Sequence, residues 1–332
     1  MIFKLVLLVT LYFILNYLSK IFKDNPIHKK IASYLDYVFI FRPTLLFAIW
    51  FIICLGMYSA YLASNYMPQW MNTLDIKTSL LFASISFIIS SIFIKEDEDN
   101  LFKKENYLDK NIVRLLSNIS LYIGLLLALF INIYNLFLGL SLYFCWYFLY
   151  NKDIVKNNFF IRCLSHIIMS IILLFSGFFI VITNNDYFLL ASNISIESIV
   201  FILLSCLCLL SIFLFIELIK NNDTFLTTNR RYISFFSTIL LIVVVIISII
   251  TNEPLLSICA VSSIPFYIYS LLRNLDKDII RSVKYPLFIF NFFVATLFPY
   301  LGLALFTIFW ISKYYYWYRF NINYPTFLID ND

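Results

Sequence analysis

Charge is scarce in this chain. Asp, Glu, Lys and Arg make up 13% of its 332 residues, against 62% hydrophobic. A soluble domain carries about 25% charged and about 45–50% apolar residues, so most of this sequence calls for lipid as its solvent. There are only 5 glycines and 2 histidines. No G-x-x-x-x-G-K-[ST], H-E-x-x-H or G-x-S-x-G occurs, which leaves P-loop nucleotide use, zinc proteolysis and nucleophilic hydrolysis without support. The 6 cysteines lie in or beside apolar runs and form no paired C-x-x-C, so neither a zinc site nor a disulfide framework is indicated. His28 reads as solvated and His166 as a satisfied histidine at a helix end. No basic helix with interleaved aromatics lies outside the apolar runs, so nucleic acid is not an expected partner.

What the chain has instead is long apolar runs. A spanning helix needs about 20 of them in a row, and ten segments qualify or nearly so: 2–22, 43–64, 77–94, 113–132, 136–150, 160–183, 198–218, 233–251, 255–272 and 286–311. The last is long and holds Pro299. The runs lack the alternation of a barrel strand, so the expected fold is all-α, a polytopic membrane helical bundle. Basic residues orient it. With loops 20–42, 95–114, 151–162, 219–231 and 273–285 inside, all of the 24 Lys and Arg except Lys4, Lys77, Lys313 and Arg319 fall on the cytoplasmic side. A multi-pass protein of a bacterial inner membrane is expected, with 2–22 as an uncleaved anchor because no A-x-A-like site follows it. The net charge of +5 suits an anionic leaflet.

Ionisable residues are nearly absent from the middles of the runs, which argues against a proton-coupled transporter and moves any chemistry to the cytoplasmic helix ends. Two such ends carry carboxylates and amides: "FIKEDEDNLFKKENYLD" (93–109) after the third run and "ELIKNNDTFLTTNRR" (217–231) after the seventh. Facing acidic patches suit a magnesium-bridged diphosphate, since Mg²⁺ commonly takes one or two carboxylates together with phosphate oxygens. Lys156, Arg230 and Arg281 could hold the same oxygens, and the apolar bundle could hold an isoprenoid tail. The plainer reading is that helix ends are polar because they are wet.

This order of features resembles the UbiA superfamily of intramembrane prenyltransferases. Without the anchor, nine runs remain, and the acidic stretches follow the second and sixth of them. "FRPTLLFAIWFIICLG" (41–56) is similar to the Arg-Pro opening of that family's first helix, matching Arg42 and Pro43. In "FLYNKDIVKNNFFIRCLSH" (148–166), Tyr150 and Lys156 match its Tyr and Lys. "SKYYYWYRFNINYPTF" (312–327) is similar to the Tyr-Tyr-x-x-Arg-Phe-x-x-x-Tyr-Pro endings of some bacterial members. The resemblance implies nine UbiA-like transmembrane helices plus one N-terminal transmembrane helix. It divides the chain into an anchor and basic linker at 1–36, a bundle at 37–327 and a tail at 328–332.

The acidic motifs are eroded. In the first, Asp97 and Asp99 match acidic positions, but Lys95 replaces the earlier aspartate and Ser91 the Asn. In the second, the D-x-x-x-D pair reads Glu217 and Asn221, with Asp223 nearby and Thr228 at a family threonine. The resemblance implies Mg²⁺ held by Asp97, Asp99, Glu217 and Asp223, which are also the catalytic candidates. Arg42, Lys156, Asn221, Arg230 and Arg281 would bind a polyprenyl diphosphate whose prenyl group goes to an unidentified acceptor in membrane lipid. Two alternatives stand beside it: a non-catalytic relative that binds a lipid or a partner protein, and a glycan-lipid polymerase or flippase. The second is opposed by short outer loops free of Lys and Arg. No feature of the sequence sets the oligomeric state.

Overall fold

The computed structural model describes residues 26–64, 76–100, 110–151, 158–184, 196–219 and 224–320. Among the described residues every regular element is a helix. These are α1 (Pro26–Phe39), α2 (Leu46–Ser64), α3 (Ile76–Asn100), α4 (Lys110–Ile131), α5 (Ile133–Asn151), α6 (Phe159–Asn184), α7 (Ile196–Ile219), α8 (Thr224–Ile250), α9 (Pro254–Arg273), α10 (Asp276–Leu297) and α11 (Pro299–Phe320). A 3-10 turn, Pro43–Leu45, opens α2. Among the described residues six segments are long and apolar enough to cross a membrane: Ile76–Lys95, Asn111–Ile131, Phe159–Ile182, Ile196–Ile219, Thr228–Ile250 and Pro254–Arg273. Leu46–Leu62 and Ile133–Leu149 are shorter apolar helices. The expected anchor at 2–22 lies outside the described residues, and the boundary expected at 36/37 falls inside α1.

Two devices bring these helices together. The first is serine. Ser84, Ser120 and Ser117 donate to the carbonyls of Gly124, Phe87 and Ser91 at 2.7–2.8 Å, running as rungs between antiparallel α3 and α4. Ser237 donates to Ser211 O at 2.7 Å and Ser282 to Phe266 O at 2.9 Å, doing the same for α7–α8 and α9–α10. Lipid tails are as apolar as leucine, so helices in a bilayer associate through close packing and such hydrogen bonds rather than through apolar burial. The second device is glycine. No glycine adopts positive φ, but a Cβ on Gly56 would strike the Leu174 carbonyl and one on Gly177 the Ile53 carbonyl. At this crossing α2 and α6 touch backbone to backbone.

The apolar run expected to span 286–311 is two helices, not one. Pro299 occupies the first position of α11, where its missing N–H costs nothing. A Cβ on Gly302 would lie 2.9 Å from that of Ala295. Seven residues along a straight helix rise about 10 Å, so the chain has folded back at Phe298. This corrects the expected topology. Arg319, assigned to the far side, binds Asp36 through Nε at 3.1 Å and Nη2 at 3.1 Å. Tyr315 donates to the same carboxylate at 2.8 Å, and its ring stacks on Phe39 at 3.8 Å. The end of α11 therefore lies at the end of the bundle where α2 begins. Pro286, by contrast, lies inside α10.

Candidate functional site

The start of α2 and the end of α3 meet at one end of the bundle. Ser90 donates to Phe41 O at 2.8 Å, and Ile40, Ile94 and Val113 pack together. Arg42 opens the 3-10 turn in the left-handed region, at φ 46°, a conformation uncommon for a side chain other than Gly or Asn. Its guanidinium lies 5.2 Å from the Phe93 ring centroid, a cation–π contact that ties the turn to the last apolar residues of α3. Lys95, in the first acidic stretch, turns toward α5. Its Nζ is 3.3 Å from the Tyr143 hydroxyl and 5.8 Å from the centre of that ring. The backbone of Asp97 and Asp99 continues α3 to Asn100, but their side chains lie outside what the structure describes.

At the end of α7, Glu217 is fully buried at 0% exposure. Arg162 Nε donates to its Oε2 at 2.5 Å, and His166 Nε2 lies 3.3 Å from its Oε1. Arg162 and His166 sit four residues apart on the first turns of α6, so both reach one side. Asn158 caps that helix through Oδ1, accepting from the amides of Phe160 at 3.1 Å and Ile161 at 3.4 Å, an N-cap arrangement. The His166 ring is stacked on Phe213 at 4.8 Å with 13° between planes. Each Glu217 oxygen thus has a nitrogen partner from α6. A carboxylate so engaged does not fit the role of a magnesium ligand, which needs an oxygen open to the cation and to the waters the cation keeps.

A third polar group lies where α8, α9 and α10 meet. Arg230 Nη2 is 2.6 Å from Asp276 Oδ1. Asp278, only 2% exposed, forms an ion pair with Arg273, whose Nε is 3.3 Å from Oδ2, and accepts a hydrogen bond from Arg281 Nη1 at 3.2 Å on Oδ1. Two arginines around one buried acid leave this corner positive. Lys156, Asn221 and Asp223 lie outside the described residues. The structure thus places Arg42, Glu217, Arg230 and Arg281 at helix ends and gives each a partner on the protein. Among the described residues no group of three or more His, Cys, Asp or Glu could hold a metal ion.

Sequence reasoning passed over Arg162, Asp36 and Asp278. Arg162 carried a readable signal: a charge inside an apolar run, one turn from a histidine, requires a buried partner because an unpaired buried charge is costly. Which partner it finds, 55 residues later, is set by the fold alone.

A solved structure of digeranylgeranylglyceryl phosphate synthase matches this fold with a TM-score of 0.52 at 19% identity, covering 81% of this chain and 98% of that one. No family model matches the sequence, and no curated protein does. The match shows the fold alone, a membrane helical bundle shared with that synthase.

Proposed function

We propose that this chain is an intramembrane prenyl-transfer protein that takes a polyprenyl diphosphate at the polar end of its bundle. The observation that carries the reading is a fold shared with digeranylgeranylglyceryl phosphate synthase over most of the chain; the two acidic stretches of the sequence fall at the ends of α3 and α7. In the reaction the allylic C–O bond of the diphosphate breaks. The prenyl carbon bonds to a nucleophilic atom of the acceptor, which loses a proton, and diphosphate leaves. Arg230, Arg281 and Lys156 hold the leaving diphosphate, Asn221 hydrogen-bonds to it, and Arg42 closes the end of α2 beside it. Forked guanidinium donors match such oxygens well. The apolar bundle shields the carbocation-like centre from water.

Asp97, Asp99 and Asp223 remain the acids proposed to hold Mg²⁺, which would neutralise charge on the leaving group. Glu217 is withdrawn from that set by its pairing with Arg162 and His166. The acceptor is a component of the membrane, and the face is the cytoplasmic one, in keeping with the basic loops.

Purified protein in nanodiscs, supplied with labelled geranylgeranyl diphosphate and membrane lipid extract, should consume the diphosphate with Mg²⁺ present, and Asp99→Ala should lose most of that turnover. Equal turnover in the two proteins would remove Asp99 from the site. A second reading, a non-catalytic lipid-binding relative, is favoured by the loss of Glu217 as a ligand. It requires binding of the diphosphate without consumption, and absence of both would overturn either reading.

A further inference from the structure

We propose that Arg162 and His166 stand in for a divalent cation at Glu217, so that this carboxylate of the diphosphate site works without metal. The inference rests on reading α7 as the second acidic helix end of a prenyl-transfer fold. In such an arrangement a carboxylate of α7 would face a shared cation. Here that carboxylate is fully buried and its charge is met inside the protein. Arg162 Nε holds Oε2 at 2.5 Å and His166 Nε2 lies 3.3 Å from Oε1.

The arrangement is built to stay put. Arg162 is held by the capped first turn of α6, with its amide bonded to Asn158 O at 3.1 Å. His166 is pinned by its stack on Phe213. Mg²⁺ demands near-octahedral geometry at about 2.0–2.1 Å and keeps several waters. Reaching Glu217 would require breaking the ion pair and bringing a dication beside a guanidinium. A guanidinium gives the same local sign of charge as a metal without needing water. A phosphate-bearing ligand approaching this end of α7 therefore meets a carboxylate already neutralised by Arg162, and any Mg²⁺ it carries is held by Asp97, Asp99 and Asp223.

The test reads metal binding directly. Mn²⁺, a spectroscopic substitute for Mg²⁺, is titrated by electron paramagnetic resonance into wild type and into Arg162→Met/Glu217→Leu, a pairwise apolar replacement of the kind buried ion pairs tolerate. The inference expects the number and affinity of bound Mn²⁺ to match wild type within about threefold, since no ligand has been removed. A missing site, or affinity weaker by more than about tenfold, the scale on which even outer-shell support of a metal is felt, would overturn it. If the double variant gives no cooperative melt, the isosteric Glu217→Gln is read by the same two outcomes. Wild type that binds no Mn²⁺ while Arg162→Gln gains a site would also support the assignment. Turnover is scored separately: a chain with no transferase activity but with Mn²⁺ binding indifferent to residue 217 refutes the prenyl-transfer reading and leaves this one intact.

Discussion

Replacing Gly177 with alanine tests the idea that this bundle is held at its α2–α6 crossing by backbone contact. The added methyl would overlap the Ile53 carbonyl oxygen and lie 3.0 Å from Ile53 C and from Met57 N. Those are main-chain atoms and cannot rotate aside, so the helices must part by about 1 Å. A gap of that size forfeits a quarter to a half of each contact worth about 0.1–0.2 kcal/mol. Over a few dozen atom pairs the loss reaches about 1–3 kcal/mol, the usual range for overpacking. In a chain of this size each kcal/mol lowers the melting temperature by about 2 °C, so a fall of about 2–6 °C is expected. Gly139→Ala is the internal control. Its methyl would crowd the Ile88 Cδ1 atom at 2.9 Å, the far end of a side chain that can turn away, and otherwise make ordinary contacts at 3.9 Å. Melting can be followed with a thiol-reactive fluorophore, because Cys54, Cys208 and Cys259 are buried and become reactive on unfolding. If Gly177→Ala melts within about 1 °C of Gly139→Ala, the crossing is looser than described and the argument from backbone contact fails.

Two further outcomes follow from groups at the bundle ends. Asp36→Asn should destabilise by about 1–3 kcal/mol, because it weakens three donors at once on a nearly buried carboxylate. A double-mutant cycle with Arg319→Gln should return a coupling above about 0.5 kcal/mol, and strict additivity would show that the two groups do not meet. Glu253, between α8 and α9, is pushed up to about 7, chiefly by burial and further by the charge of Glu197. A folded-state value above the ordinary 4.5 means the stability it lends is complete below that ordinary value and is lost as pH rises through about 7. The melting temperature should therefore fall between mildly acidic and mildly basic pH, and Glu253→Gln should flatten that slope. An unchanged slope in the variant would assign the pH dependence to other groups.

The helices were legible wherever composition alone decides. The runs at 77–94, 113–132, 160–183, 198–218 and 233–251 fall within or almost within α3, α4, α6, α7 and α8, because an unbroken apolar stretch between polar ends has one stable solution in lipid. The last run was misread for a definite reason. The residue joining α10 to α11 is Phe298, as apolar as its neighbours, and hydropathy does not distinguish a hairpin turn from a bent helix. Asp276, Lys277, Asp278, Arg281 and Lys284 also hid the first two turns of α10 inside what looked like a loop. At the site, sequence located the polar helix ends but not their pairing. Lys95 lies against Tyr143, a contact with α5 that nothing in the sequence marks. Glu217, expected from the sequence as a cation ligand, is closed by Arg162, since the match depends on how α6 packs on α7. The Tyr and Arg of the tail pattern, Tyr315 and Arg319, converge on Asp36, four residues apart on one helix face.

That convergence has a consequence in time. Asp36 and Arg319 are separated by 283 positions in the chain, so α1 leaves the ribosome long before the helix that holds it. Through most of synthesis the Asp36 carboxylate waits without its guanidinium. The contact can close only after α10 and α11 have folded back on each other. Its formation therefore reports that α11 has reached α1, and a chain stopped short of α11 leaves Asp36 without these partners.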